Sequence, residues 1–253
     1  MIALTPKPTG AISLNYGHPY AEGLYTGYFF NEGGGLRAED VIGRNDGTFT
    51  GGTKFVQTPY GTGLIFDGSG DYITGRQSGN TWSQITVIAR CKYSALAVSS
   101  RLVCDAAVTS FALGADLTTS SAIRMQIKTG VTTNALAGSG TIVVDEWATF
   151  AGLYDGTTVS VIKNGLVLAT GSVSGNLNAG AALNVGGGSG LTSINGVVDY
   201  VLVYNKALTV AQVAAISCNP YAMLTSPRKI RWNTTAAPPA PSLRSLLLLG
   251  AGI

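Results

Sequence analysis

Charge is scarce in this chain: Asp, Glu, Lys and Arg make up 11% of 253 residues, against about a quarter in an average soluble protein. The formal net charge of +3 is too small and too scattered to build the field a nucleic-acid binder uses, so a polyanion partner is not expected. Histidine is nearly absent. The lone His18 sits in a Gly-His-Pro turn beside Tyr20, where a packed loop residue is the expectation and a catalytic base is not. Cysteine is sparse and odd in number. Cys91, Cys104 and Cys218 show no CxxC or Cys/His ligand spacing, which excludes a disulfide framework and a zinc site and leaves buried free thiols as the expectation.

Long apolar runs are missing too. The most apolar stretch, Leu246 to Ile253, is far shorter than the roughly 20 residues a membrane helix needs, and Arg244 interrupts its extension. The opening MIALTPKPTGAI has no apolar core of signal-peptide length, so export through a cleaved leader is not expected and synthesis in a cytoplasm is.

What is abundant is glycine, with 34 residues, set between short segments of period-two alternation. Ile123, Met125 and Ile127 alternate with Arg124, Gln126 and Lys128, which predicts a strand with one wet face. Ile85, Val87, Ala89, Cys91 and Tyr93 fall on one side of a second strand, opposite Arg90 and Lys92. Between Trp147 and Val173, Asp155-Gly156 and Asn164-Gly165 separate apolar runs at hairpin spacing and predict a three-strand meander with type I′ turns. Many short strands with Gly-rich turns predict an all-β, two-sheet antiparallel sandwich. Thr209 and Gln212 form a capping box and Leu208 and Val213 a hydrophobic staple, predicting one short helix over Thr209 to Ile216. After Cys218 the chain turns basic, proline-rich and finally apolar, an arm of stiff, extended character.

Three short motifs carry a resemblance. Phe30-Asn31-Glu32-Gly33, Phe66-Asp67-Gly68 and Gly196-Val197-Val198-Asp199, the last before the capped helix, are similar in order and spacing to a laminin-G-like, concanavalin A-like jelly roll. The likeness spans about Tyr16 to Ile216, and divides the chain into an extension (1–15), the jelly roll (16–218) and the arm (219–253). The opening GHPYAEGLYTGYFFNEGGG and the Asn219-Pro220-Tyr221 after the helix resemble the form found in tailed-phage and prophage proteins.

That resemblance implies a fold used mainly for binding, with glycoside hydrolases in some branches. Their Glu-x-Asp-x-x-Glu signature matches none of Glu22, Glu32, Glu39 and Glu146, and the neighbours Asp145 and Glu146, if in a strand, point to opposite faces. The expectation is therefore a non-enzymatic structural protein of a phage particle, partnered by other virion proteins and copies of itself. Its arm would attach through Arg228, Lys229, Ile230, Arg231, Trp232 and the run Leu246, Leu247, Leu248, Leu249, where a strand with alternating Ile230 and Trp232 can add to a neighbour's sheet. The alternative is a glycan-binding adhesin using Tyr20, Tyr25, Tyr60 or Trp82 as sugar platforms. No cofactor is expected. Asp199, in a run apolar on both sides, must be hydrogen-bonded, ion-paired or metal-bound; backbone N–H donors are the expected partners, and calcium with Asp40 or Glu32 is the alternative. GGGSG at Gly186 to Gly190 lacks the context of a phosphate loop and is expected to be an ordinary loop.

Overall fold

A computed structural model describes residues 7–8, 10–77, 81–106, 108, 110–130 and 132–225. The arm residues Arg228 to Trp232 and Leu246 to Leu249 lie outside the described residues.

The strands run β1 (Ser13–Leu14), β2 (Leu24–Tyr28), β3 (Arg37–Ala38), β4 (Gly47–Thr50), β5 (Lys54–Thr58), β6 (Gly61–Asp67), β7 (Tyr72–Gln77), β8 (Ile85–Ala95) and β9 (Arg101–Asp105). They continue as β10 (Phe111–Ala115), β11 (Ile123–Lys128), β12 (Thr132–Leu136), β13 (Trp147–Tyr154), β14 (Thr158–Lys163), β15 (Leu166–Ser172), β16 (Ala182–Val185), β17 (Asn195–Tyr204) and β18 (Leu224–Thr225). One sheet has the order β12-β11-β10-β9-β16-β7-β4-β3, the other β15-β14-β13-β8-β17-β6-β5 with β2 also on β17, and all pairings between named strands are antiparallel. This is the expected sandwich. Its main core lies between the sheets, where Ile85, Val87, Ala89, Cys91 and Tyr93 meet Ile123, Met125 and Ile127, as the alternation predicts.

The β13–β14–β15 meander forms as expected, with one turn differing. Asn164 and Gly165 both take positive φ (51° and 81°), the signature of a type I′ turn. At Asp155-Gly156 only the glycine does, and the Asp155 carboxylate instead accepts from the backbone of Thr157 and Thr158 at 2.8 and 2.7 Å. An aspartate that can close its own turn has no need of the left-handed region.

The expected wet face of β11 is also dry. Arg124 and Gln126 are buried, and the turn after β10 brings the Asp116 carboxylate to 3.6 Å from the Arg124 guanidinium, a counter-charge for it.

A second apolar layer covers the outer face of the β8–β17 sheet. The helix α1 (Val210–Cys218) lays Val213 and Ile216 onto Ile88, Ile162, Tyr200, Leu202 and Tyr204. Its capping box is present in full, the Thr209 side chain accepting from Gln212 N and the Gln212 side chain from Thr209 N. Leu208 and Val213 sit in the same cluster, as a staple requires. Leu14, Tyr221 and Met223 join this layer, and β1 pairs with β18, so chain on both sides of residues 16–218 packs here. Cys91 and Cys104 are buried thiols as expected, but Cys218 is exposed, since it ends the helix on its open side. Among the described residues no helix is long and apolar enough to cross a membrane.

Each of the three motifs has a structural reason. Phe30 is fully buried with φ of 51°, and the next turn is tied by Glu32, whose carboxylate accepts from Glu39 N at 2.5 Å. Phe66 fills the core against Gly186, where an added Cβ would stand 2.2 Å from its ring. At Gly196 a Cβ would fall 2.2 Å from the Lys92 carbonyl oxygen of β8, so only glycine lets the two strands approach there.

Candidate functional site

The register of β17 on β8 slips between Val198 and Tyr200: Val198 faces Cys91, Tyr200 faces Arg90, and Asp199 is left over. Such a bulge re-aims a side chain. Val198 packs between the sheets and Tyr200 in the outer layer, and Asp199 meets Arg90 on that outer side, fully buried.

Its expected backbone donors are replaced by charged ones. Arg90 donates from Nε at 2.8 Å and Nη2 at 2.5 Å to Asp199 Oδ2, Tyr221 donates its hydroxyl hydrogen to the same oxygen at 2.9 Å, and Lys7 Nζ stands 2.9 Å from Oδ1. The Lys7 ammonium also reaches the carbonyls of Phe29 (2.5 Å), Asp199 (2.7 Å) and Thr62. Burial lowers the Lys7 pKa, and Asp199 works against that. The Arg90 pKa is raised: burial opposes its charge, but Asp199 and the Tyr221 and Tyr200 rings outweigh that cost. Ion pairing thus leaves no role for calcium at Asp199. Nor does Asp40 assemble with it: its carboxylate accepts from the backbone of Gly27, Ile42, Arg44 and Asn45 at 2.8 to 3.3 Å, the arrangement expected of Asp199. Among the described residues no group of three or more acidic, His or Cys side chains is placed to hold a metal.

Above this cluster lies a recess of about 200 Å³ lined by Tyr60, Arg90, Trp147, Thr149, Asn164, Ser217 and Cys218. Three elements meet here. Arg90 and Thr149 are cross-strand partners on β8 and β13, and Trp147 lies on the same face two residues before Thr149. Asn164 is fixed by the β14–β15 turn, its side-chain oxygen accepting from Thr149 N at 2.9 Å. Ser217 and Cys218 come from the end of α1. Tyr60, on the β5–β6 turn, sits edge-on to Trp147 with ring centroids 5.4 Å apart at 87°, and its face covers the Arg90 guanidinium at 3.6 Å. Both rings are half-buried.

Of the four aromatics proposed from sequence, Tyr60 alone lines this recess. Tyr20 packs on His18, the N-cap of a 3-10 turn, with ring centroids 5.0 Å apart. Tyr25 and Trp82 pack on each other at 4.8 Å beside a void of about 10 Å³, room for one water at most. Trp147 and Arg90 were missed as site residues. The signal for Trp147 was present, an aromatic at the mouth of a strand beside the polar pair Asp145-Glu146. Those two carboxylates pair separately, Asp145 with Lys92 at 3.3 Å and Glu146 with Lys163 at 3.0 Å. Residues 186–190 form a loop after β16, as expected.

A family model described as the concanavalin A-like lectin/glucanases superfamily matches residues 67–214. No curated protein matches the sequence. Among solved structures, domain 4 of a GH43 extracellular arabinanase from Geobacillus stearothermophilus, in complex with arabinotriose, aligns with a TM-score of 0.63 at 18% identity, covering 77% of this chain and 98% of that one. The binding domain of botulinum neurotoxin DC in complex with SialylT aligns at 0.59 and 9% identity, over 78% of this chain and 51% of that one. Trypanosoma rangeli sialidase with the inhibitor DANA aligns at 0.59 and 16%, over 79% of this chain and 33% of that one. The chain thus corresponds to about half of the toxin domain and a third of the sialidase. At these identities the likeness shows the fold, and the neighbours include both enzymes and binding domains.

Proposed function

Because the chain belongs to the concanavalin A-like lectin/glucanase superfamily, we propose that it is a non-catalytic glycan-binding module that takes a saccharide in the recess of Tyr60, Trp147 and Arg90. The carrying observation is the right-angled pair of half-exposed rings beside Arg90, Thr149 and Asn164. The C–H face of a pyranose lies flat on an aromatic ring while its hydroxyls need polar groups at the rim, which is what a concave site with a few placed polar groups offers. The recess has no carboxylate in its lining, and hydrolysis by the usual mechanism needs a pair of them flanking the bond. The arabinanase domain, crystallised with arabinotriose, supports a saccharide reading by analogy of fold alone.

A glycan array probed with the full chain and with Trp147→Ala tests this. Wild-type protein is expected to bind a discrete set of saccharides, and the variant to lose about tenfold or more in affinity, roughly 1.4 kcal/mol. Binding that is unchanged in Trp147→Ala would place the sugar elsewhere. The separate expectation of a phage-particle component rests on the likeness of residues 17–35 and 219–221 to tailed-phage proteins, and its attachment on an arm outside the described residues; sedimentation of the chain with virions after a salt wash is its test, and recovery only in the soluble fractions would end it.

A further inference from the structure

Two cations share one carboxylate beneath the recess. Lys7 and Arg90 both pair with Asp199, and the remaining members of the cluster, the Tyr221 and Tyr200 hydroxyls, are neutral, their pKa values pushed far up by burial. Lys7 reaches four acceptors, a setting that holds it as the ammonium. Within contact distance two cations thus share one carboxylate; the Glu32 carboxylate adds to Lys7 from farther off, and Arg90 is the cation whose share of Asp199 is left incomplete.

Of the two cations, Arg90 is the one that lines the recess. Lys7 turns its ammonium inward onto three carbonyls. Arg90 spends Nε and Nη2 on Asp199 and Tyr221, while Nη1 makes no hydrogen bond among the described residues and Arg90 lines the recess. The lysines Lys92 and Lys163 are already matched, with Asp145 and Glu146. Asn164 has its oxygen engaged by Thr149 N, which turns its amide nitrogen into a spare donor on the same rim.

We infer that the saccharide taken by this recess carries a ring carboxylate, a uronic or nonulosonic acid, whose charge meets Arg90 Nη1 while its ring rests on Trp147 and Tyr60. This rests on the glycan reading above and narrows it. A neutral hexose offers only dipoles to the Arg90 guanidinium, whereas a carboxylate offers a charge, and ion-assisted hydrogen bonds are about twice as strong as neutral ones.

The test titrates the full chain calorimetrically with uronate- and sialate-containing oligosaccharides and, in parallel, with the same oligosaccharides after reduction of each carboxyl to a primary alcohol. The expected result is an acidic form that binds at least tenfold more tightly than its reduced twin, with Trp147→Ala losing that binding and added salt weakening it. Equal affinity for both forms overturns the acidic inference and leaves the glycan reading standing. Preference for the acid that survives Trp147→Ala places the charge contact outside the recess and overturns the inference too. No binding by either form overturns the acidic inference, while the glycan reading falls only if the array shows no saccharide bound.

Discussion

Raising the pH above 10 is expected to unfold the chain in one steep step. Tyr28, Tyr93, Tyr200, Tyr204 and Tyr221 are buried or nearly so, and burial raises the pKa of each. In the unfolded chain a tyrosine releases its proton near pH 10, while in the folded chain these five keep theirs. Their contribution is therefore fully present below pH 10 and is lost as pH rises toward the folded-state values, at about 1.4 kcal/mol per pH unit for each ring. Five rings acting together remove roughly 7 kcal/mol per unit, comparable with the whole stability of a domain at about 5 to 15 kcal/mol. Cys104, whose thiol is pushed up to about 12 by burial, adds to the same trend. Lys7 acts the other way, because its folded-state pKa is lowered and the cost of burying its charge is relieved toward pH 10.5, but it is one group against several. Tyrosinate absorbance and circular dichroism followed together from pH 9 to 12 are expected to change in a single transition. Buried rings ionising reversibly with the dichroism intact would contradict the packing described.

Replacing Asp199 by Asn is expected to cost about 3 to 5 kcal/mol, because it leaves Lys7 and Arg90 buried without a counter-ion. The exposed pair Arg37 and Asp46, 3.4 Å apart with side chains 67% and 39% exposed, supplies the contrast: Asp46→Asn should change stability by less than about 1 kcal/mol. Urea unfolding of the two variants beside wild type measures both. A loss at Asp199 as small as that at Asp46 would mean that the cluster does not hold the N-terminal segment and Tyr221 to the sheet. A single substitution of this size is uncommon, and its cause is topological: the carboxylate joins Lys7, β8 and the segment after α1, which are distant in sequence and meet only at the bulge.

The sandwich, the meander, the inward face of β8 and the capped helix were legible because each is written in local pattern, alternation, turn residues or a capping box. The three glycine-containing motifs were legible as a resemblance, and only the backbone shows why Gly196 is required, its Cβ being barred by the Lys92 carbonyl. The site was half legible. Tyr60 could be named as an aromatic in a turn, but Arg90 reads in sequence as the outward, solvated residue of an alternating strand. Its partners Asp199 and Tyr221 are 109 and 131 positions away, and Lys7, which shares Asp199 with it, is 83 away; no local period reports contacts of that range. The dry outer face of β11 escaped for a different reason: Asp116, eight residues from Arg124 across the β10–β11 hairpin, supplies a counter-charge that strand alternation does not report.

A crystal structure of the full chain with the tightest ligand from the array tests whether the recess of Tyr60, Trp147 and Arg90 is a saccharide site. The expected result is a sugar ring stacked on Trp147 or Tyr60 within about 4 Å, the contact distance of packed carbon atoms, with a polar group of the sugar hydrogen-bonded to Arg90 or Asn164. A saccharide seated instead in the polar recess of Arg37, Arg44, Asn45 and Asp46, with the aromatic recess empty, would contradict it.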